Sequence, residues 1–168
     1  IESYLKEKGY HTELMEEDPS LPQESAGVFT PTMPEVISPN AHTGFKGEIL
    51  MYRYLQSQGY EPICPSIVTE DDDYDFSLDY QGTKYYHKNN YDKYDITFIS
   101  KQGVKVYLEV KTTVCSKNSI VNMPISAREW SMIDEVENSA TEAYIIARIF
   151  SIDHQPEVYF LRGNVLKV

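Results

Sequence analysis

The sequence predicts a mixed α/β (α+β) domain in which helices flank a central mixed β-sheet. Three segments carry this prediction: an amphipathic helix over residues 44–58, a β-hairpin over residues 95–113, and a capped helix followed by the apolar run AYIIARIF. At 168 residues the chain has room for one core of ordinary size. Residues 1–40 are acidic and hold five of the nine prolines, so we expect a linker, or the end of a preceding region, before a domain at 41–168.

The first predicted helix, residues 44–58, precedes Gly59, which suits a helix C-terminal cap. Positions 48, 51, 52 and 55 follow the i, i+3, i+4, i+7 spacing of one helix face. Glu48 therefore shares a face with Met51 and Leu55, where a carboxylate needs a partner. The alternative is that Glu48 merely favours the helix dipole from an early turn.

The segment between this helix and the hairpin is less regular. We expect a short strand around residues 62–68. Residues 70–94 are polar and rich in tyrosine and turn formers, which indicates an insertion or long loop near the functional edge, with room for one hairpin. The acidic run 70–73 lacks the ligand order of a calcium loop, so a solvated loop is the preferred interpretation.

The hairpin joins DITFIS to VKVYLEVKTT through the turn KQG at residues 101–103. A three-residue loop with its glycine in the left-handed region pairs Ile96 with Leu108 and Phe98 with Val106. These pairs make one face almost wholly apolar. A shift of one residue would mix the faces, which a half-buried sheet disfavours, so the apolar pattern selects this register.

Three charged residues share the other face in this register. Asp95 lies opposite Glu109, and Lys111 follows two residues later. Opposed carboxylates destabilise each other unless a cation lies between them, and Mg²⁺ binds one or two carboxylates together with waters and phosphate oxygens. A lysine at such a site can orient or help to deprotonate a water and offset charge in a phosphoryl transition state. The alternative is an exposed cross-strand ion pair, which would explain Lys111 but not two opposed acids.

The segment PISAREW predicts the start of a second helix, running to about Asn138. Ser126 and Glu129 have the spacing of a capping box. We therefore interpret Glu129 as a cap rather than a catalytic residue, and Trp130 as a core residue. Two strands are expected next, a buried one at 143–150 and an edge strand at 158–163.

The net charge of −11 argues against a nucleic-acid partner, because affinity for phosphates comes from cations. The charge is unevenly distributed, however: residues 1–40 have a net charge of −6 and residues 80–128 a net charge of +5. The hairpin thus lies in a locally basic segment. A solvated lysine-rich face is an equally good interpretation of a patch of this size.

Several classes of protein are excluded by composition. Cys64 and Cys115 are too few and too far apart for a metal knuckle, and the four histidines lack the spacing of zinc ligands. There is no apolar run long enough to span a membrane and no signal-like start, so we expect a soluble, cytoplasmic protein without a membrane partner. The first residue is isoleucine, which suggests a piece of a longer chain.

Five segments together resemble the domain named after the C-terminal region of the plant NO VEIN protein, a branch of the PD-(D/E)XK nuclease superfamily. The segments are GFKGEILMYRYLQSQGY, YDITFIS, YLEVKTT, PISAREW and AYIIARIF, and the resemblance covers about residues 43–165. It implies a restriction-endonuclease-like αβββαβ core. It also implies catalytic roles for Glu48, Asp95, Glu109 and Lys111 around one or two Mg²⁺ (or Mn²⁺) ions. Tyr94 replaces the proline of the superfamily motif, a departure that removes no ligand.

The resemblance implies a Mg²⁺-dependent endonuclease acting on DNA, more readily double-stranded. It further implies the C-terminal part of a larger restriction/defence or DNA-processing protein, with an upstream ATPase- or helicase-like region or a partner subunit. The alternative is a catalytically inactive module with the nuclease fold that binds nucleic acid or protein. The expected metal ligands are Asp95, Glu109 and Val110, and the expected nucleic-acid contacts are Thr112, Thr113, Lys117 and Arg128.

Overall fold

The computed structural model describes residues 39–120 and 123–162, which form a mixed α+β fold with two helices and two sheets. A four-stranded sheet has the order β4-β5-β6-β7, and a smaller sheet has the order β1-β3-β2. The fold class is thus as predicted. The elements are α1 (Pro39–Ser57), β1 (Ile67–Val68), β2 (Phe76–Tyr80), β3 (Thr83–His87), β4 (Ile96–Ile99), β5 (Lys105–Thr112), α2 (Ala127–Val136), β6 (Glu142–Phe150) and β7 (Glu157–Arg162).

Helix α1 begins five residues earlier than predicted, at Pro39. Proline is favoured in the first turn of a helix, because its missing N–H has no partner there and its φ angle is already helical. The end agrees with the prediction: Gly59 has a φ of +86°, and the N–H of Tyr60 bonds back to the Leu55 carbonyl at 3.1 Å. The remainder of the predicted linker, residues 1–38, lies outside the described residues.

The register of the predicted hairpin is confirmed. Ile96 pairs with Leu108 and Phe98 with Val106, and Gly103 in the turn has a φ of +81°. These four apolar side chains belong to the core cluster that packs against α1. The alternation of the two strands was therefore sufficient to place β4 beside β5.

The rest of the large sheet places the two helices on opposite faces. Strand β6 pairs with β5 in parallel, and β7 pairs with β6 in the antiparallel sense. Helix α2, the connection between β5 and β6, packs Met132, Ile133 and Val136 against Tyr107 and Ile146. The sheet is thus covered by α1 on one face and by α2 on the other.

Two details of α2 differ from the prediction. The helix ends at Val136 rather than near residue 138, and Trp130 is not a core residue, since it is 37% exposed. The buried positions of the helix are Glu129, Met132, Ile133 and Val136, which follow one helix face. Trp130 lies beside that stripe, and its size alone was a poor guide.

The segment predicted as an insertion or loop forms most of a second sheet. Strands β2 and β3 form a tight hairpin through Gln81 and Gly82, which both have positive φ angles. Tyr80 from this hairpin packs against Phe45 and Ile49 of α1. The predicted strand at 62–68 is reduced to β1 and one bridge between Ile63 and Thr97. The acids at 70–73 are exposed, as predicted.

Two compositional expectations can be compared with the described residues. Cys64 is buried and Cys115 is partly buried, and both are free thiols, which agrees with the absence of a disulfide or metal-knuckle pattern in the sequence. Within residues 39–120 and 123–162, neither helix has the length and apolarity needed to cross a membrane.

Candidate functional site

Asp95 stands immediately before β4 and is fixed by the neighbouring strand. Its N–H donates to the Leu108 carbonyl at 2.9 Å, and its carboxylate accepts a hydrogen bond from the Val110 N–H at 2.7 Å. The Asp95 side chain thus takes the place of a main-chain carbonyl as the partner of the Val110 N–H, at the end of the β4–β5 hydrogen-bond ladder. Its carboxyl group is also hydrogen-bonded to that of Glu109, so the structure brings the two predicted acids together.

Glu48 reaches the same place from α1. The Ser66 hydroxyl donates a hydrogen bond of 2.5 Å to one Glu48 oxygen, and the Glu48 and Asp95 carboxyl groups are hydrogen-bonded. Met51 and Leu55 on the same helix face are each 2% exposed. The predicted inward orientation of Glu48 is therefore confirmed, and its partner is an acid cluster rather than the helix dipole.

A close approach between α1 and β5 makes this contact possible. A Cβ atom added at Gly47 would overlap the Thr112 hydroxyl and would lie 2.9 Å from the Thr112 Cβ. Only a residue without a side chain fits at this position. Glu48 is the next residue, so the absence of a side chain at Gly47 lets the Glu48 carboxylate reach Asp95.

Lys111 lies between two carboxylates. Its ammonium is 3.3 Å from Glu109 Oε1 and 2.6 Å from Glu129 Oε1. Burial alone would lower the pKa of Lys111, but the attraction of Glu109 and the hydrogen bond to Glu129 outweigh it and raise the pKa. Lys111 is therefore held as a charged ammonium, not as a neutral amine.

Glu129 has two simultaneous roles. The predicted capping box is present: the Glu129 N–H donates to Ser126 Oγ at 3.2 Å, and the Ser126 N–H donates to Glu129 Oε2 at 2.5 Å. The other oxygen, Oε1, accepts from Lys111 at 2.6 Å. The cap prediction is confirmed but incomplete, since the same carboxylate belongs to the site.

The site contains more acidic groups than cations. Burial and the neighbouring Asp95 raise the pKa of Glu48 to about 8, and burial raises the pKa of Asp95 to about 6. Burial and Asp95 likewise raise the pKa of Glu109. Burial would also raise the pKa of Glu129, but its hydrogen bonds to Glu109 and Lys111 prevail and lower it. Carboxyl groups that bond to one another must share protons, and a divalent cation would replace those protons.

The residues present fit a Mg²⁺ ion of this kind. Asp95 and Glu109 supply two carboxylates, and Val110 can contribute only its main-chain carbonyl, which points to the same side of the strand as the N–H that meets Asp95. Among the described residues, no three or more His, Cys, Asp or Glu side chains are arranged as a metal cage. Mg²⁺ commonly needs only one or two carboxylates, because waters and phosphate oxygens complete its octahedron.

With this geometry in place, comparison with known proteins gives one result. A family model described as "Protein NO VEIN, C-terminal" matches residues 66–161, more than half of the chain. The chain belongs to the NO VEIN C-terminal family. No curated protein and no solved structure matches it. The matched range begins at Ser66 and contains Asp95, Glu109, Lys111 and Glu129, whereas Glu48 lies upstream of it.

Two of the expected nucleic-acid contacts have other roles in this NO VEIN C-terminal domain. The Thr112 hydroxyl is buried against Gly47 without a hydrogen-bond partner, and the Thr113 hydroxyl accepts from the Cys115 N–H at 3.1 Å. A contact of either residue with DNA stays a prediction.

The other two expected contacts are exposed but already bonded. Lys117 lies 3.3 Å from Glu157, and Arg128 donates to the Tyr91 carbonyl at 3.0 Å with its guanidinium over the Tyr91 ring. At least four of the eight bases in the locally basic segment form ion pairs with acids: Lys88, Lys93, Lys111 and Lys117. The surface of this segment therefore carries less uncompensated positive charge than the residue count of its sequence suggests.

Two residues of the site were missed by the sequence interpretation. Ser66 orients Glu48 and is 2% exposed, and Glu129 holds Lys111. The sequence carries no signal for Ser66, because its partner is 18 residues away. The signal for Glu129 was present in the capping box, which fixes where that carboxylate points, but the cap alone accounted for it.

Proposed function

We propose that this domain is a Mg²⁺-dependent endonuclease of the PD-(D/E)XK type that hydrolyses DNA phosphodiester bonds. The observation that carries the proposal is the convergence of Asp95 and Glu109 beside Lys111: the Lys111 ammonium lies 3.3 Å from Glu109, and the Asp95 carboxylate accepts from the Val110 N–H at 2.7 Å. A purely structural sheet has no use for two bonded acids at the open end of a strand pair. The resemblance of YLEVKTT to the superfamily motif supports the same interpretation.

The roles follow from the contacts. Asp95, Glu109 and the Val110 carbonyl would hold the metal, and Glu48, oriented by Ser66, would support that shell. The bound ion would acidify a water and neutralise charge on the phosphate. Lys111 orients the attacking water and stabilises negative charge on the phosphorane-like transition state, because its raised pKa makes it a donor rather than a base.

Glu129 acts through Lys111 as a positioning residue. One of its oxygens is fixed by the Ser126 N–H, so the other presents a rigid acceptor to the ammonium. This contact prevents Lys111 from turning wholly toward Glu109. The capping box of α2 thereby couples the position of the helix to the position of Lys111 on β5.

The substrate in this proposal is double-stranded DNA, and the domain works as the C-terminal part of a larger restriction/defence or DNA-processing protein. An upstream ATPase- or helicase-like region, or a partner subunit, would deliver the DNA. The second candidate is a non-cutting module that binds nucleic acid or protein. The pairing of at least half of the local bases with acids favours it, because such pairs leave fewer cations for phosphates.

A cleavage assay separates the two. Supercoiled and linear DNA are incubated with wild type, Lys111→Ala and Asp95→Ala in Mg²⁺ or Mn²⁺, with Lys84→Ala as a control because Lys84 lies on β3 of the small sheet. We expect cleavage by wild type and the control only. Equal cleavage by all four proteins would refute the site, and DNA binding without cleavage by any of them would favour the module.

A further inference from the structure

Arg148 on β6 is a buried cation without a counter-ion among the described residues. The residue is 5% exposed, and its Nη2 atom is buried with no hydrogen-bond partner in that part of the chain. Buried charges in proteins are normally paired or bound to a ligand, because an isolated one is costly to desolvate. An arginine in this state is therefore a candidate to bind an anion.

The described residues around Arg148 supply no such anion. Its guanidinium lies 5.0 Å from the centre of the Phe150 ring, and no carboxylate in the described part of the chain forms an ion pair with it. Burial lowers the pKa of Arg148, and only the Cys115 thiol acts in the opposite direction. Lys111, in contrast, is bonded to two carboxylates.

The position of Arg148 relates it to the catalytic strand. Arg148 and Lys111 are direct partners in the parallel pairing of β6 with β5, so both side chains rise from the same face. Lys111 turns back toward Glu109, two residues earlier, whereas Arg148 turns forward onto Phe150, two residues later. The two cations thus diverge along one face, and Arg148 lies away from the carboxylates.

A second cation, Lys117, lies at this end of the face, where it is paired with Glu157 at 3.3 Å. Lys117 is 5.9 Å from the centre of the Tyr159 ring, and Tyr159 is the partner of Arg148 on β7. The loop after β5 that carries Cys115 and Lys117 therefore runs beside the guanidinium. A movement of this loop would give an anion access to Arg148.

We propose that Arg148 is the centre of an anion site that takes a phosphate group of the DNA backbone, adjacent to the phosphate on which Lys111 acts. This inference rests on the proposed nuclease function. A guanidinium suits the task because its planar fork can bond two phosphate oxygens at once.

The test compares Arg148→Met, which keeps length but not charge, with Lys84→Met as a control for the same change in net charge. Three quantities are measured: the melting temperature without ligand, its change with inorganic phosphate, and DNA affinity at several salt concentrations. Affinity is measured with Mg²⁺ in a Lys111→Ala background, so that the DNA is not cut.

We expect Arg148→Met to melt at or above the wild-type temperature, because a buried unpaired charge has been removed. It loses the phosphate-induced rise in melting temperature, binds DNA about tenfold more weakly, and lowers the slope of log K against log salt by about 1. Lys84→Met changes none of these. Should Arg148→Met fail to fold, Arg148→Lys is predicted to weaken DNA binding while keeping the salt slope.

Wild-type DNA affinity and salt slope in Arg148→Met, or wild-type affinity in Arg148→Lys if the Met variant is unfolded, would overturn the inference. Such a result would leave the nuclease proposal intact if wild type still cuts DNA. If wild type neither binds nor cuts DNA, the nuclease proposal fails, and the phosphate-induced rise alone decides the Arg148 site. An equal rise in wild type and Arg148→Met would then refute it.

Discussion

The ammonium of Lys111 lies closer to Glu129 on helix α2, at 2.6 Å, than to Glu109 on its own strand, at 3.3 Å. A residue that completes a helix cap thus sets the position of the proposed catalytic lysine. The other Glu129 oxygen is bonded to the Ser126 N–H, so both ends of the carboxylate are engaged. This double contact can be tested separately from helix stability.

Glu129→Gln is predicted to lower kcat for DNA cleavage by about 10–100-fold, the usual effect of removing a partner that orients a functional group. A glutamine has one acceptor oxygen and cannot satisfy both Lys111 and the Ser126 N–H. The matched control is Ser126→Ala, which weakens the cap by about 1 kcal/mol but leaves the Lys111 contact. A loss of cleavage that merely follows the melting temperature in both variants would contradict the positioning role.

The metal-free protein is predicted to lose stability as the pH rises from about 4.5 to about 8. Glu48 has its pKa raised to about 8 by burial and by Asp95, against 4.5 when unfolded. The folded state therefore binds more protons than the unfolded state in this window, and stability falls as the pH rises through it. Glu48→Gln removes this titration, while its amide oxygen can still accept from Ser66.

Thermal unfolding at pH 5 to 8 checks this prediction. Wild type without metal should lose several degrees in melting temperature over the window, and Glu48→Gln should lose less. Mg²⁺ should restore the melting temperature of wild type at pH 8, since it binds the ionised carboxylates of the folded state. Without metal, an equal fall in melting temperature with pH in wild type and Glu48→Gln would disprove the account of Glu48.

Gly47→Ala is predicted to destabilise the fold by about 1–3 kcal/mol, because the new methyl group overlaps Thr112. Gly44→Ala in the same helix is the matched control: nothing lies within 4 Å of its added Cβ, so it should stabilise by up to about 0.5–1 kcal/mol. Urea unfolding measures both. Similar effects of the two substitutions would contradict the close approach of α1 to β5.

The two thiols should differ in reactivity. Cys64 is 7% exposed, and burial together with Glu48 raises its pKa to about 12, whereas Cys115 is partly exposed. In a Cys115→Ser variant, Cys64 should react with a thiol reagent only on unfolding. Labelling of Cys64 in the folded variant at the rate of the denatured protein would contradict this prediction, because the region around Glu48 and Ser66 would then be accessible to the reagent.

Local patterns in the sequence predicted the fold around the site well. The alternation of Ile96, Phe98, Val106 and Leu108 fixes the strand register, and the spacing of Ser126 and Glu129 fixes the helix start, because each depends on neighbours along the chain. The same register places Asp95 beside Glu109.

The parts that sequence missed depend on contacts between distant segments. Ser66 meets Glu48 across 18 residues, and Glu129 meets Lys111 across the same separation, so neither pair has a periodic signature. In the sequence, Arg148 is one polar residue in the apolar run AYIIARIF. Only the structure shows that it is buried and that its Nη2 atom has no hydrogen-bond partner among the described residues. For residues 70–94 the sequence predicts an insertion or long loop with room for one hairpin; the structure has that hairpin as β2 and β3, whose tyrosines and polar side chains obscure the strand pattern.

The central claim is that the bonded carboxyl groups of Asp95 and Glu109 are a divalent-metal site. Binding of Mn²⁺, followed by electron paramagnetic resonance, tests it most directly in wild type, Asp95→Asn and Asp79→Asn; Asp79 is an exposed acid on β2 that controls for charge. The prediction is saturable binding that Asp79→Asn retains and Asp95→Asn loses. Binding of Mn²⁺ by Asp95→Asn with the affinity of wild type, or no binding by wild type, would contradict the claim.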